Sequence, residues 1–391
     1  MRRLITTFII LSSWISALCY NPDSAAVNRA VVDWGIEAGV NSSYIIPTNS
    51  FLKTVSGNDA VIAPDLRASF AFGPRSRYGR LYPGVRQGLG IGLNNIIPHS
   101  TLGTPALVYL FQNIKIVGNR RLWLEGEWNF GISAGWSKFN PEADIVNNAI
   151  GSRVNAMLGI GVSGLYSLSD NWRLKATLNG IHYSNGNTHL PNAGVNSIGL
   201  MLGVQYIFDP VSPVKELPMI EKFKRGFSYD VTAYGATRRR IADNGLDDYT
   251  VLKGSFGVAG INIAAMYDLN RYFRFGLSAD MQYDESANLA GHRVENSYGD
   301  EVKFYRQPFA DCFAGGLSVR TELTLPVFSI NAGIGRNIIA NGPDTRIFYQ
   351  TLALKAYIWR GSYLQVGYQL SNFHLPNNLM LGVGYTFGRK Q

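Results

Sequence analysis

The stretch Trp172-Arg173-Leu174-Lys175-Ala176-Thr177-Leu178-Asn179-Gly180-Ile181-His182-Tyr183-Ser184, followed after a loop by Val195-Asn196-Ser197-Ile198-Gly199-Leu200-Met201-Leu202-Gly203-Val204-Gln205-Tyr206-Ile207-Phe208, decides how the chain is read. Even positions Trp172, Leu174, Ala176 and Leu178 are apolar; odd positions Arg173, Lys175, Thr177 and Asn179 are polar. Successive side chains of an extended chain point to opposite faces, so this is a β-strand with one apolar and one polar face. The second segment repeats the pattern with Ile198, Leu200, Leu202, Val204, Tyr206 and Phe208. His182, Ser184 and Asn196 fall on the apolar parity. Residues of catalytic type therefore share one greasy surface.

The same alternation spreads outward from this stretch. Leu122, Leu124, Trp128, Phe130, Ile132 and Trp136 oppose Arg121, Glu125, Glu127, Asn129 and Ser133, and Phe273, Phe275, Leu277, Ala279 and Met281 oppose Arg274, Ser278, Asp280 and Gln282. Beyond the N-terminal leader no segment offers the roughly 18 consecutive apolar residues of a spanning helix. A closed barrel is the other architecture that satisfies every backbone group inside a membrane. Connection lengths agree with it. Gly118-Asn119, Ser169-Asp170-Asn171, Asn270-Arg271, Leu325-Pro326 and Arg360-Gly361 are tight turns, whereas 47–64, 138–150 and 284–308 are long. Short turns on one side and long loops on the other mark an outer-membrane barrel. The connection 73–86 breaks the rule, being long where a short turn is due.

The predicted strands are Val31–Ile46, Asp65–Phe72, Gln87–Asn95, Pro105–Ile116, Arg121–Trp136, Arg153–Ser167, Trp172–Ser184 and Val195–Phe208, then Phe227–Ala236, Leu252–Tyr267, Tyr272–Tyr283, Phe309–Leu325, Phe328–Ile338, Ile347–Trp359, Tyr363–Leu370 and Leu379–Phe387. Between the two sets, 210–226 carries prolines and mixed charge without a strand period, and reads as a linker. The halves also resemble each other. Leu200–Phe208 and Leu379–Phe387 agree at all but two positions, and Ser184-Asn185 with His189-Leu190-Pro191-Asn192 is echoed by Ser371-Asn372 with His374-Leu375-Pro376-Asn377. A duplicated all-β membrane unit follows, 28–209 and 227–391, as two tandem, roughly eight-stranded antiparallel barrels or as one barrel of about sixteen strands. Strands ending at Phe208 and at Phe387 like barrel closures favour two. The copy has Gln369 where His182 stood, and its apolar row Leu364, Val366, Tyr368 and Leu370 leaves Gln369 and Ser371 on the other face. It is expected to be inert.

Residues 1–19, with Arg2-Arg3, an apolar run to Leu18 and small residues before a polar Asn21-Pro22-Asp23, read as a secretory signal. Without it Cys312 is the only cysteine, so no intramolecular disulfide framework is available. The 391-residue chain carries a formal charge of +9, two of its arginines in the leader. Such an excess suits an anionic surface; secretion disfavours nucleic acid and leaves phosphorylated lipid head groups, or ordinary solvated charge. Arg238-Arg239-Arg240, at the outer end of the ninth strand, either meets lipid phosphates or is a solvated loop. His99, His189, His292 and His374 lack ligand spacing, so no metal is expected. The glycines of Gly88-Leu89-Gly90-Ile91-Gly92 suit strand packing and not a nucleotide loop, since no helix follows.

A serine hydroxyl becomes a nucleophile when a neighbouring base accepts its proton, and a histidine two residues away on the same face can approach it. Asn196, across the loop, can orient that base. No Asp or Glu lies between Ser184 and Phe208, so a local carboxylate is missing and the base is expected to be weaker than in a Ser-His-Asp triad. Asn185, Gly186 and Asn192 are the nearby candidates for oxyanion donors. Polar side chains placed in lipid cost free energy and are a functional hypothesis by default.

His182-Tyr183-Ser184-Asn185-Gly186 followed by Pro191-Asn192-Ala193-Gly194-Val195-Asn196 resembles the signature of the lipid A 3-O-deacylase family, eight-stranded outer-membrane barrels that remove an ester-linked acyl chain from lipopolysaccharide. The likeness covers 31–208 as architecture, and its specific part is this stretch. It implies an outer-membrane serine esterase of a Gram-negative bacterium, acting on lipid A in the outer leaflet without a cofactor. Ser184 would be nucleophile and His182 base, with Asn185 and Asn192 near the oxyanion. Asn196 departs from the pattern, which places a glutamate there. Outer-membrane phospholipase A is similar in another way, using His-x-Ser-Asn-Gly with an asparagine third. A phospholipase, and a non-enzymatic porin or surface-binding barrel, are the rival readings. If the first strand starts from the periplasm, the seventh ends outward and Ser184 lies in the outer leaflet.

Overall fold

In the computed structural model, residues 32–55, 60–96, 102–140, 147–208, 210, 222–243, 249–294, 301–373 and 375–389 are described. The expected leader and most of the expected linker lie outside them. Eight long strands, β1 (Val32–Ile46), β2 (Ala60–Phe72), β3 (Val85–Leu93), β4 (Gly103–Gly118), β5 (Leu122–Trp136), β6 (Val154–Ser167), β7 (Trp172–Ser184) and β8 (Val195–Ile207), pair antiparallel with their neighbours. The first barrel closes because β1 pairs with both β2 and β8. Another eight, β9 (Gly226–Arg238), β10 (Phe256–Asp268), β11 (Phe273–Asp284), β12 (Phe313–Thr324), β13 (Phe328–Ala340), β14 (Phe348–Trp359), β15 (Ser362–Ser371) and β16 (Leu375–Phe387), form a second closed barrel. The architecture is thus two eight-stranded barrels in tandem and not one of sixteen strands.

Parity sorts the side chains as the sequence requires. Leu66, Ile91, Val108, Ile132, Leu178 and Leu200 are exposed on the first barrel's outer face, while Glu37, Arg67, Glu127 and Lys175 are buried inside it. The interior carries a network of ion pairs. Arg67 Nη1 meets Glu127 at 2.8 Å, and Lys175 Nζ meets Glu127 at 2.7 Å and Glu37 at 3.4 Å. The second interior is built alike, with Arg274 and Lys355 between Asp230 and Glu322. Trp172, Tyr206 and Phe208 stack outside one end of the first barrel, and Phe227, Tyr267 and Phe275 outside the second, as membrane-interface aromatics do.

Among the described residues three short helices escape the period-two reading: α1 (Ser50–Val55), α2 (Arg77–Leu81) and α3 (Phe309–Cys312). The long connection 73–84 holds α2, and Tyr82 at its end touches the second barrel. Its hydroxyl donates to Arg271 O at 3.3 Å and its ring packs on Tyr272 at 5.5 Å. β2 begins at Ala60, five residues before the predicted Asp65. Pro64 ends a strand prediction because it lacks an N–H, yet here it pairs with Val40 within the ladder.

The barrels meet through outward-facing side chains. On the first barrel Gln87 and Gln112 point outward, and both are fully buried. Gln112 Nε2 donates to Gln87 Oε1 at 2.7 Å and to Pro326 O of the β12–β13 turn at 2.9 Å, and Trp128 packs edge-on against Phe328 at 5.8 Å.

Candidate active site

β7 and β8 place the candidate residues by simple geometry. Tyr183 faces inward, where its hydroxyl accepts from Asn94 Nδ2 at 2.8 Å and its ring packs on Trp136. The neighbours His182 and Ser184 must then face outward, on the side of Leu178. The β7–β8 ladder sets His182 directly opposite Asn196, and His182 Nδ1 lies 2.7 Å from Asn196 Oδ1. An amide oxygen only accepts, so this contact puts the imidazole proton on Nδ1 and leaves Nε2 with a free lone pair. On the other flank β6 sets Leu158 opposite His182 and Ala156 opposite Ser184, an apolar margin beside the polar pair.

Ser184 is engaged elsewhere. Its Oγ donates to Asn192 Oδ1 at 3.2 Å, accepts from Asn192 Nδ2 at 2.9 Å, and receives the Gly186 N–H at 3.2 Å. The structure brings His182 to Asn196 but makes no hydrogen bond between His182 and Ser184. The loop is held by backbone conformations that favour glycine. Gly186 has φ +63°, and Gly194 has φ +75° and packs under the imidazole, where a Cβ would fall 2.9 Å from His182 Cε1. Gly194 N–H donates to Ala149 O at 3.1 Å, tying the loop to the 147–150 segment.

Of the candidate oxyanion donors, Gly186 N–H points at the serine oxygen and Asn192 is bound to it. The Asn185 N–H is taken by Asn192 Oδ1 at 3.1 Å, but its side-chain Nδ2 is buried and has no hydrogen-bond partner among the described residues. A buried, unpaired donor costs free energy unless a ligand uses it. The sequence did not single out Asn187. It has φ +65° and its Oδ1 accepts from Asn192 Nδ2 at 3.2 Å, one bond removed from Ser184. An asparagine after Asn-Gly suits a left-handed turn, which was the only available signal.

The arginine triplet corrects an expectation. Arg238 is buried and pairs with Asp284 at 2.9 Å, so it neither faces lipid phosphates nor lies solvated, whereas Arg240 stays partly exposed and pairs with Asp344. Gln369 of the second barrel is buried inward, on the parity the sequence assigned to it.

Two closed barrels with apolar exteriors and charged interiors make this an outer-membrane protein of a Gram-negative bacterium. The chain belongs to the lipid A 3-O-deacylase, or acyloxyacyl hydrolase, family. The model for lipid A 3-O-deacylase (PagL) matches residues 120–205, and that for the acyloxyacyl hydrolase C-terminal domain matches 227–390. The family assigns it hydrolase activity in the outer membrane. None of the curated proteins matches the chain. Among solved structures, Neisserial surface protein A is similar at 12% identity over 45% of this chain and 97% of its own, with a TM-score of 0.33. The outer membrane enzyme PagL is similar at 16% identity over 43% of this chain and 97% of its own, with a TM-score of 0.29.

Proposed function

We propose that the first barrel hydrolyses an ester-linked acyl chain of lipid A, with Ser184 as nucleophile, His182 as base and Asn196 as the residue that orients it. The observation that carries this reading is the 2.7 Å His182–Asn196 contact on the lipid-facing surface, two residues from a serine on the same face. Ser184 turns from Asn192 towards His182 Nε2 when substrate arrives; catalytic hydrogen bonds often tighten only in the substrate complex. Its Oγ attacks the ester carbonyl and its proton passes to Nε2. The developing oxyanion is met by the Gly186 N–H and the Asn185 amide. The protonated imidazole then gives its proton to the departing sugar hydroxyl, and a water entering from the head-group side cleaves the acyl-enzyme by the same route. Asn196 stabilises the imidazolium with a dipole where a carboxylate would use a full charge. A slower enzyme is the consequence.

One observation favours a second substrate. An asparagine as third member is the pattern of outer-membrane phospholipase A, so a glycerophospholipid ester is the alternative. Expression in a Gram-negative host, with lipid A and phospholipids both weighed, decides. Lipid A short of one hydroxyacyl chain, restored by Ser184→Ala, supports deacylation of lipid A. Lysophospholipid beside intact lipid A overturns it for the phospholipase, and no change in either lipid leaves a non-enzymatic barrel.

A further inference from the structure

The second barrel lacks the catalytic parity, yet its outer end touches the loop that holds Ser184. Arg239 N–H donates to Asn187 O at 2.8 Å, and Asn187 Nδ2 donates to Asn377 O at 3.4 Å. Asn377 is itself fixed from inside its own barrel: Arg238 Nη1 donates to Asn377 Oδ1 and, at 2.9 Å, to Asp284 Oδ2. Asn187, Asn377, Arg238 and Asp284 are buried, with Asn187 at 9% and Asn377 at 6% exposure, and Arg239 is half-buried. Beside them Leu379, on the outer face of β16, covers Gly186. A Cβ there would fall 2.5 Å from Leu379 Cγ.

The partners form a continuous chain. Asp284 holds Arg238, Arg238 holds Asn377, Asn377 holds Asn187, Asn187 receives Asn192, and Asn192 grips the Ser184 hydroxyl. We propose that the second barrel is a positioning element for the first, with Asn377, Arg239 and Leu379 fixing the turn Asn185-Gly186-Asn187 and through it the nucleophile and the Gly186 donor. The proposal rests on the reading of Ser184 as nucleophile. Its physical basis is that an oxyanion donor acts only when held in place before the charge develops. The ten-residue loop between β7 and β8 is braced within itself through Asn185, Thr188 and Asn192, and the second barrel adds its contacts at the turn residues Gly186 and Asn187, both of positive φ. The far contact through Gln112, Pro326 and Phe328 keeps the barrels from sliding and so makes the near contact rigid.

The test uses the full chain in detergent with purified lipid A in mixed micelles. Asn377→Ala is expected to lower kcat on the order of tenfold while KM stays within about twofold, because a displaced donor costs transition-state binding and not substrate binding. Asn377→Asp, which keeps an acceptor for Arg238, recovers most of the rate. Asn187→Ala reproduces the loss, and the double variant adds nothing to it. The temperature at which the folded band converts on a gel should not move with Asn377→Ala. Should that variant fail to fold, Leu379→Ala keeps the proposal testable through the same drop in kcat. Wild-type kcat in Asn377→Ala and Leu379→Ala, or a change in KM alone, overturns the positioning role while Ser184→Ala remains dead. An active Ser184→Ala overturns instead the nucleophile on which the proposal stands.

Discussion

The last strand pair of each barrel descends from one pattern and ends in opposite chemistry. In the first, His182 faces Asn196 across the β7–β8 ladder and both point outward. In the second, Gln369 faces Asn378 across β15–β16 and both are buried inside, at 5% and 0% exposure. The outward pair there is Tyr368 with Leu379. A bulge between Gln369 and Leu370 and a shorter loop separate the two cases. Side chains alternate strictly, so a shift of one residue moves a whole set from lipid to interior. Catalytic potential here depends on parity more than on composition: Ser371 repeats Ser184 in sequence, but Gln369 stands two residues before it where His182 precedes Ser184. The largest expected effect breaks this contrast directly. Ser184→Ala and His182→Ala should each lower turnover by about three orders of magnitude or more, whereas Gln369→Ala and Ser371→Ala should leave it unchanged, all read by mass from lipid A.

The interiors make a second comparison, in which likeness matters. In each barrel a buried lysine and the arginine beside it, Lys175 with Arg67 and Lys355 with Arg274, share two carboxylates. Removing one partner of a buried ion pair costs about 3–5 kcal/mol, because the remaining charge stays buried without its partner. Lys175→Met and Lys355→Met should both lower the temperature at which the folded barrel converts on a gel. Lys355 meets both Asp230 and Glu322 at 2.7 Å, whereas Lys175 meets Glu127 at 2.7 Å and Glu37 only at 3.4 Å. The second-barrel variant should therefore lose more. Equal losses would mean that the lysine–glutamate contact alone carries the energy.

The fold was legible because lipid outside and charge inside write period two plainly into the chain: all sixteen long strands are foreshadowed by runs such as Phe273, Phe275 and Leu277 against Arg274 and Ser278. What escaped reading is what period two does not encode. Pro64 hides the first turn of β2, short helices leave no alternation, and Tyr82 looks like an ordinary loop residue until its contact with Tyr272 appears. The site was legible to the same depth. His182, Ser184 and Asn196 follow from parity, and the cross-strand contact of two of them is a matter of register. That Ser184 rests on Asn192 is an aperiodic loop contact, and that Asn187 links this pair to Asn377 is a contact 190 residues apart in sequence. Gln112 and Trp128 fall on lipid parity too, and only the second barrel turns that polar glutamine from an anomaly into an interface.

Two smaller effects sharpen the comparison. Asn196→Ala leaves His182 Nδ1 without its acceptor, which should cost kcat about tenfold to a hundredfold. At the matching place in the second barrel Tyr368 stands opposite Leu379 and orients no base, so Tyr368→Phe should leave kcat as it was.

The smallest effect concerns the contact between the barrels. Gln112 accepts Trp128 Nε1–H at 3.1 Å and donates to Gln87 Oε1 and Pro326 O. Gln112→Leu removes all three bonds and leaves Gln87, Trp128 and a backbone carbonyl short of partners in the contact between the barrels, a cost of about 1–3 kcal/mol when the barrels stay docked. If the barrels instead separate, leucine faces lipid and the first barrel becomes no less stable. Heating the variant distinguishes the two. A lowered conversion temperature with turnover nearly intact shows that this end holds the barrels together and the outer end, at Asn187 and Asn377, sets the catalytic loop. An unchanged temperature with reduced turnover shows the opposite coupling, in which losing the distant contact frees the second barrel to withdraw from Gly186.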